Sequence, residues 1–194
     1  MKRKLLVTLF FLFAVFSKTE AQNFDTRFLR SINSSYTNYD KLWIGVSQSV
    51  TPISIATPLT MFAFGYFNQN KDQKRQAWVT GSALAINTFL TFGLKYSIHR
   101  PRPYVSDLQI IKKATAGAHS FPSGHTSTAF ATAISLTLAY PKWYVALPAY
   151  AWATASGYSR MHLGMHYPSD VLAGAIIGTL SGIVAHKINQ HLVK

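Results

Sequence analysis

Five apolar segments follow residue 40, and none of them contains a charged residue. They are Leu42–Phe67, Ala77–Leu94, Thr126–Tyr140, Trp143–Tyr158 and Val171–Ala185. Apolar segments without charge are typical of helices that cross a membrane, and none of these alternates apolar and polar residues as a half-buried strand does. The pattern therefore predicts an all-α fold, an integral membrane helical bundle of about five or six spanning helices.

The length and composition of these segments leave a second interpretation open. Several are only 15 to 18 residues long and rich in Ala, Gly, Ser and Thr, so a soluble all-α protein with buried helices has a similar pattern. Two features favour the membrane. Trp78, Tyr140 and Trp143 lie at segment ends, where aromatic belts form, and small residues such as those of AGAIIGTLSG allow close helix packing in lipid.

Residues 1–21 have the pattern of a secretory signal peptide. A basic tripeptide precedes an apolar run, Leu5–Phe16, which is shorter than the roughly 20 residues that a spanning helix needs. An uncleaved first transmembrane helix is the alternative. We expect residues 22–194 to form a single domain that begins on the outer side of the membrane.

The charge of the chain narrows the function classes. It has 19 Lys and Arg against 6 acidic residues, a net charge of +13, but the basic residues stand in short groups between apolar segments, so we expect no nucleic-acid partner. The absence of cysteine excludes disulfides, thiolate metal sites and a cysteine nucleophile. A two-metal hydrolase needs converging carboxylates, and the acids are few and scattered: Glu20, Asp25, Asp40, Asp72, Asp107 and Asp170.

Residues 95–125 and 159–170 form two loops rich in charged residues. Counting spans from an external residue 22 places both loops, and the active site that they carry, at the outer ends of the helices. The segment NQNKDQKRQ after the first span fits the positive-inside rule, whereas residues 95–125 and 159–170 lie outside and are rich in cations. Because the positive-inside rule disfavours cations on the outer side, their presence there indicates that some of them have a functional role. We expect Lys112 and Lys113 to meet solvent or anionic headgroups.

Three clusters in these loops carry the candidate chemistry: KYSIHRPRP, FPSGHTS and SRMHLGMHYPSD. Lys95, Arg102 and Arg160 can neutralise the three non-bridging oxygens of a phosphoryl group. The PSGH sequence precedes an apolar run, so it marks a helix N-terminus whose backbone N–H groups can bind an anion. There the Ser123 hydroxyl can contact phosphate, and Gly124 allows close approach.

The remaining residues of the clusters supply a nucleophile and an acid. His166 and Asp170 are four residues apart, so on a helix that begins near His166 the carboxylate reaches the imidazole and leaves the other nitrogen to attack phosphorus. His125 is then available to protonate the leaving oxygen and to activate water. Each cluster alone also fits a cap, a turn or a lipid-headgroup contact, and it is their meeting on one face that favours the phosphate site.

The other histidines are interpreted as structural: His99, His119, His162, His186 and His191. His162 shares a loop with His166 but has no carboxylate partner in the surrounding pattern. His119 lies close to the PSGH motif.

The three clusters resemble the signature of the type 2 phosphatidic acid phosphatase superfamily, K-x6-R-P, P-S-G-H and S-R-x5-H-x3-D, in order and in spacing. The resemblance covers residues 77–185. It implies that His166 forms a phosphohistidine, that Asp170 orients it and that His125 is the general acid. It also implies that the phosphate is held, with no metal and no other cofactor, by Lys95, Arg102, Ser123, Gly124 and Arg160.

Membrane members of that superfamily usually have about six spanning helices, whereas five apolar segments follow the signal peptide. Either Leu5–Phe16 is the missing helix, or Phe24–Asp40 forms an interfacial helix.

The resemblance therefore predicts a phosphatase domain over residues 22–194, acting on lipid phosphate monoesters or pyrophosphates at the outer face of a bacterial inner membrane. Candidate substrates are phosphatidic acid, phosphatidylglycerophosphate, undecaprenyl pyrophosphate and lipid A phosphate. The lipid bilayer is the expected partner, with no obligate protein partner. The alternatives are a soluble periplasmic acid phosphatase acting on small esters, a vanadium-dependent haloperoxidase and a non-catalytic membrane protein that binds phosphorylated lipids.

Overall fold

The structure, a computed structural model, describes residues 24–33 and 35–192, and the predicted signal peptide lies outside them. Within these residues the chain is helical and has no strand, which confirms the all-α prediction. The helices are α1 (residues 24–32), α2 (Asp40–Phe67), α3 (Lys71–Ile98), α4 (Pro103–Ser106), α5 (Gly124–Ala139), α6 (Trp143–His162) and α7 (Pro168–Leu192).

Four of these helices contain a predicted apolar segment completely, and α5 contains the fifth except for its last residue, Tyr140. α3 begins at Lys71, before its apolar run, because the Asn70 side chain caps the helix by accepting a hydrogen bond from the backbone N–H of Gln73 at 3.0 Å. α6 continues past the predicted end at Tyr158 to His162. α1 occupies part of the segment for which the sequence suggests an interfacial helix, and the short α4 was not predicted.

The outer surface of the bundle is apolar. Among the described residues, three stretches are long and apolar enough to cross a membrane: Asp40–Phe67, Lys71–Ser106 and Pro168–Leu192. Large side chains face outward from them, for example Leu59 and Phe89, which are 64% and 79% exposed. A soluble monomer rarely exposes apolar surface of this extent, whereas lipid covers it in a membrane protein.

α5 and α7 pack closely through small residues. A β-carbon at Gly178 would overlap the carbonyl oxygen of Ser127, and one at Gly174 would lie 2.6 Å from the carbonyl oxygen of Ser123. The glycines therefore set the distance between α5, which begins at the PSGH motif, and α7, which begins just after His166.

Gly178→Ala should destabilise the protein by roughly 1–3 kcal/mol, because the added methyl group forces α5 and α7 apart. The measurement is thermal unfolding of the detergent-purified protein. Gly45→Ala in α2 is the matched control, since a β-carbon there meets no atom within 4 Å and alanine is the better helix former. Equal changes of Tm in the two variants would contradict this account of the packing.

A buried ionic cluster joins α2 to α6 and corrects two predictions. His162 does have a carboxylate partner: its Nε2 lies 2.7 Å from Oδ1 of Asp40, and it ends α6 rather than lying in a loop. Lys113 does not meet solvent or headgroups, because its Nζ lies 3.0 Å from the same oxygen and its side chain is 1% exposed. Lys112 is exposed, as predicted. Asp40 is 122 residues from His162, so no local pattern indicates the pair.

α1 and the segment after α4 close the same end of the bundle. Leu29 of α1 is fully buried in a cluster with Ile110 and Tyr167. The Asn33 side chain donates a hydrogen bond to the backbone carbonyl of His162 at 2.8 Å. These contacts hold the segment that leads to the PSGH motif against the beginning of α7.

Candidate active site

A cavity of about 320 Å³ lies at this end of the bundle, where α3 and α6 end and α5 begins. Six of the eight predicted site residues line it: Lys95, Arg102, Gly124, His125, Arg160 and His166. They come from all three sequence clusters, which the fold thus brings together. The other two, Asp170 and Ser123, are fully buried behind the cavity wall.

His166 lies in the segment between α6 and α7, with its side chain 3% exposed. Its Nε2 is 3.0 Å from a guanidinium nitrogen of Arg102. Because a guanidinium only donates, Nε2 accepts this hydrogen bond, which assigns the imidazole proton to Nδ1. Burial lowers the pKa of His166 to about 3, and the charge of Arg102 adds to this against the opposing effect of Asp170. The imidazole is therefore neutral around pH 7.

Asp170 faces the other nitrogen of the imidazole, at a longer distance than the sequence predicts. α7 begins at Pro168, so His166 is not on the helix, and its Nδ1 lies 3.6 Å from Oδ2 of Asp170 without a hydrogen bond. That oxygen already accepts hydrogen bonds from the Ser120 hydroxyl and, at 2.9 Å, from the backbone N–H of Tyr167. These two hydrogen-bond donors thus fix the carboxylate of Asp170 at a position from which a small movement would bring it within hydrogen-bond distance of the imidazole.

Arg100 is a residue of the site that the sequence motifs do not include. One of its guanidinium nitrogens lies 2.6 Å from Oδ1 of Asp170 and the other 2.9 Å from Oδ2 of Asp25 in α1. Although burial opposes its charge, these two carboxylates raise the pKa of Arg100 above its ordinary value. The repeated Arg-Pro of HRPRP is the signal that could have indicated it, whereas Asp25 has no such signal.

Three cations surround the cavity and are held by main-chain or hydroxyl oxygens. Lys95 Nζ donates to the carbonyls of His119 and Pro122, at 3.1 and 2.8 Å. Arg102 donates to two further carbonyls, and Arg160 donates to a serine hydroxyl at 2.6 Å. Among the described residues, the buried Nε of Arg160 has no hydrogen-bond partner. Positive charge with unused donors, facing one cavity, is suited to binding a phosphate.

The PSGH motif stands at the beginning of α5, as predicted, but the Ser123 side chain differs from expectation. Its hydroxyl is hydrogen-bonded to that of Thr126 at 2.8 Å, inside the first turn, and does not line the cavity. The backbone N–H of Ser123 donates to the backbone carbonyl of Asp170 at 3.0 Å. Gly124 and His125 do line the cavity.

His119 has more contact with the site than a purely structural interpretation suggests. It lines the cavity, and its carbonyl is one of the two that hold Lys95. Its ring packs edge-on against His99, with ring centroids 4.6 Å apart. His119 is therefore part of the cavity wall and holds a cation through its backbone.

A second cavity of about 300 Å³ adjoins the first and extends between α2, α3 and α5. Phe92, Lys95, Gly124 and His125 line both cavities. This second cavity extends into the part of the bundle whose outer surface is apolar, which is the part that lies in the membrane.

Two relatives are similar to this chain in sequence. Lipid A 4′-phosphatase of Bacteroides thetaiotaomicron is 36% identical over 97 residues, which cover 47% of this chain and 43% of that protein. Undecaprenyl-diphosphatase BcrC of Bacillus subtilis is 30% identical over 141 residues, which cover 71% of this chain and 70% of that protein. The chain thus spans less than half the length of the first relative.

Two crystal structures share the fold. LpxE of Aquifex aeolicus has a TM-score of 0.71 and 25% identity, with 84% of this chain and 95% of that chain covered. A transmembrane PAP2-type phosphatidylglycerolphosphate phosphatase of Bacillus subtilis has a TM-score of 0.71 and 22% identity, with 95% of this chain and 96% of that chain covered. The fold is therefore that of a multi-pass membrane bundle. The sequence profile of the PAP2 superfamily matches residues 76–194, which carry all three motifs, and the chain belongs to that superfamily.

Proposed function

We propose that this protein is a membrane phosphatase that hydrolyses lipid phosphate monoesters or pyrophosphates through a phosphohistidine on His166, without a metal ion. The observation that carries the proposal is the position of the His166 imidazole, between Arg102 and Asp170 at a cavity walled by cations. A nucleophile, a carboxylate that orients it and an anion site thus occur together. The similar proteins include a lipid A 4′-phosphatase and a transmembrane phosphatidylglycerolphosphate phosphatase.

The first step transfers the phosphoryl group to the protein. Arg102 exchanges its hydrogen bond with Nε2 of His166 for one with a phosphate oxygen, which releases the lone pair of Nε2. The lone pair forms the P–N bond as the P–O bond to the leaving group breaks. His125, which becomes protonated when the negative charge of the bound phosphate offsets the surrounding cations, gives its proton to the departing oxygen. The imidazole then carries a positive charge, which Asp170 stabilises across the 3.6 Å contact to Nδ1.

The second step regenerates the protein. Water attacks the phosphorus atom, His125 takes the proton from the water, and the electrons of the P–N bond return to Nε2. Inorganic phosphate leaves, and His166 is again neutral with its proton on Nδ1. Lys95, Arg102 and Arg160 neutralise the phosphoryl oxygens in both steps, the role for which a metal is otherwise needed.

The beginning of α5 provides the remaining phosphate contacts. The backbone N–H groups of the first turn, at Gly124 and His125, lie at a helix N-terminus, where they favour an anion. For the Ser123 hydroxyl to contact phosphate, it has to give up its hydrogen bond with Thr126.

Lipid phosphates are the proposed substrates because the cavity continues into the membrane part of the bundle. The candidates are lipid A phosphate, undecaprenyl pyrophosphate, phosphatidic acid and phosphatidylglycerophosphate, of which the first two correspond to the names of the two relatives. We place the site on the outer face of a bacterial inner membrane, since the count of spans from an external residue 22 puts both charged loops there. A phosphatase domain over residues 22–194 and the lipid bilayer as its only required partner complete the proposal.

The test is phosphate release by the full-length protein, purified in detergent, from these four lipids and from p-nitrophenyl phosphate, with and without excess EDTA. We expect kcat/KM for at least one lipid to exceed that for the small ester, and chelation to leave the rates unchanged. Loss of activity in EDTA would overturn the metal-free mechanism. Release from the small ester alone would favour the soluble acid phosphatase, and lipid binding without release would favour the binding protein.

A further inference from the structure

Several of the side chains that line the second cavity are polar. Besides the residues it shares with the phosphate cavity, it is lined by one asparagine and several threonines: Thr51, Asn87, Thr88, Thr91 and Thr128. Polar side chains at the depth of a membrane are costly unless they have partners, and they mark sites where a polar group binds.

Asn87 is a buried polar group of this cavity whose hydrogen bonding is incomplete. It lies in the middle of α3 and is 1% exposed. Its Nδ2 donates to the hydroxyl of Thr128 at 3.2 Å, whereas its buried Oδ1 has no hydrogen-bond partner within residues 24–33 and 35–192. A buried carbonyl oxygen without a donor costs stability, and a ligand that brings a donor removes that cost.

The position of Asn87 relates it to the leaving group. Thr128, which holds the Asn87 amide, follows His125 by three residues on α5, a rise of about 4.5 Å along the helix. In the proposed mechanism His125 protonates the departing oxygen. The Oδ1 atom of Asn87, which has no donor, therefore lies about one helical turn from that oxygen, farther along α5 toward its C-terminus. The first atoms of the lipid moiety would lie there.

We infer that Asn87 selects lipid phosphates whose lipid moiety carries a hydrogen-bond donor, an amide N–H or a hydroxyl, on a carbon next to the phosphate-bearing carbon. This inference rests on the proposed function, because it uses the place of the leaving oxygen. An N-acylated amino sugar or amino alcohol has such donors. In a polyprenyl pyrophosphate the departing oxygen belongs to the second phosphate group, whose ionised oxygens cannot donate to Oδ1. A diacylglycerol phosphate has only ester oxygens next to its phosphate-bearing carbon, and these cannot donate either.

The test compares two lipids of matched chain length that differ in these donors, ceramide 1-phosphate and phosphatidic acid. Rates are measured with the full-length protein in the same mixed micelles. We expect kcat/KM for ceramide 1-phosphate to be higher by about tenfold, the effect of one well-placed buried hydrogen bond. In Asn87→Leu the ratio should fall to near one, mainly by a loss of activity on ceramide 1-phosphate.

Ser135→Ala is the matched control, because it removes a different buried polar group, a hydroxyl that has no partner among the described residues and lies ten residues beyond His125 on α5. We expect it to leave the ratio unchanged. Equal or higher kcat/KM for phosphatidic acid in the wild-type protein overturns the inference, whatever the stability of the Asn87 variant, and so does an unchanged ratio in Asn87→Leu. In either case, phosphate release from both lipids leaves the proposed function intact. If no phosphate is released from these two lipids or from the four candidate lipids, the proposed function itself is wrong.

Discussion

Replacement of His166 by alanine should lower kcat for phosphate release by about ten-thousandfold or more, because no phosphoenzyme can form without Nε2. No other imidazole takes its place. His125 is assigned to proton transfer, and His119 packs against His99 rather than between a cation and a carboxylate. The cations of the cavity remain in the variant, so it should still bind lipid phosphate. A loss in kcat with little change in binding separates a missing nucleophile from a damaged site.

The measurement is rapid quenching with a ³²P-labelled lipid phosphate, followed by detection of an acid-labile, base-stable phosphoprotein. The wild-type protein should accumulate the label and His166→Ala should not. His186→Ala, a histidine in the second half of α7, is the matched control and should label normally. A labelled His166→Ala protein, or one that keeps more than about one hundredth of the wild-type kcat, would contradict the assignment of the nucleophile.

The sequence predicts what is encoded within a short stretch of chain. The five apolar segments indicate the long helices, because a charge-free run of this length has few other structures available to it. The motifs place Lys95 in the last turn of α3 and Arg102 directly before α4, and they place His125 one residue after the beginning of α5. Once the helices pack, these local arrangements converge on one cavity.

Contacts between distant segments could not be predicted in this way. Arg100 and Asp170 are 70 residues apart, and Asp25 and Ser169 are 144 residues apart. These pairs depend on how α1 and the segment after α3 pack against the beginning of α7, which no periodicity in the chain indicates. Asn87 was overlooked for a different reason: inside an apolar segment one asparagine looks like a tolerated exception, and only the geometry relates it to the leaving-group side of His125.

Asp170→Asn should lower kcat by about a thousandfold to ten-thousandfold, although the substitution changes the shape of the side chain very little. The carboxylate of Asp170 receives hydrogen bonds from the Ser120 hydroxyl, the Tyr167 backbone N–H and Arg100. An amide has one oxygen, so its NH2 group must face at least one of these donors. It also carries no negative charge, so the imidazolium that forms during phosphoryl transfer loses its stabilisation.

Asp107→Asn is the matched control, because it also removes a carboxylate from an arginine pair on the same end of the bundle. Asp107 lies 2.7 Å from Nε of Arg30, and neither residue lines the phosphate cavity. We expect this variant to keep wild-type kcat. The two are compared by kcat, KM and Tm together, since Asp170→Asn also leaves Arg100 with one carboxylate partner instead of two and should lower Tm. A purely structural role for Asp170 would lower Tm while the folded fraction kept its kcat, and that result would remove the carboxylate from the mechanism.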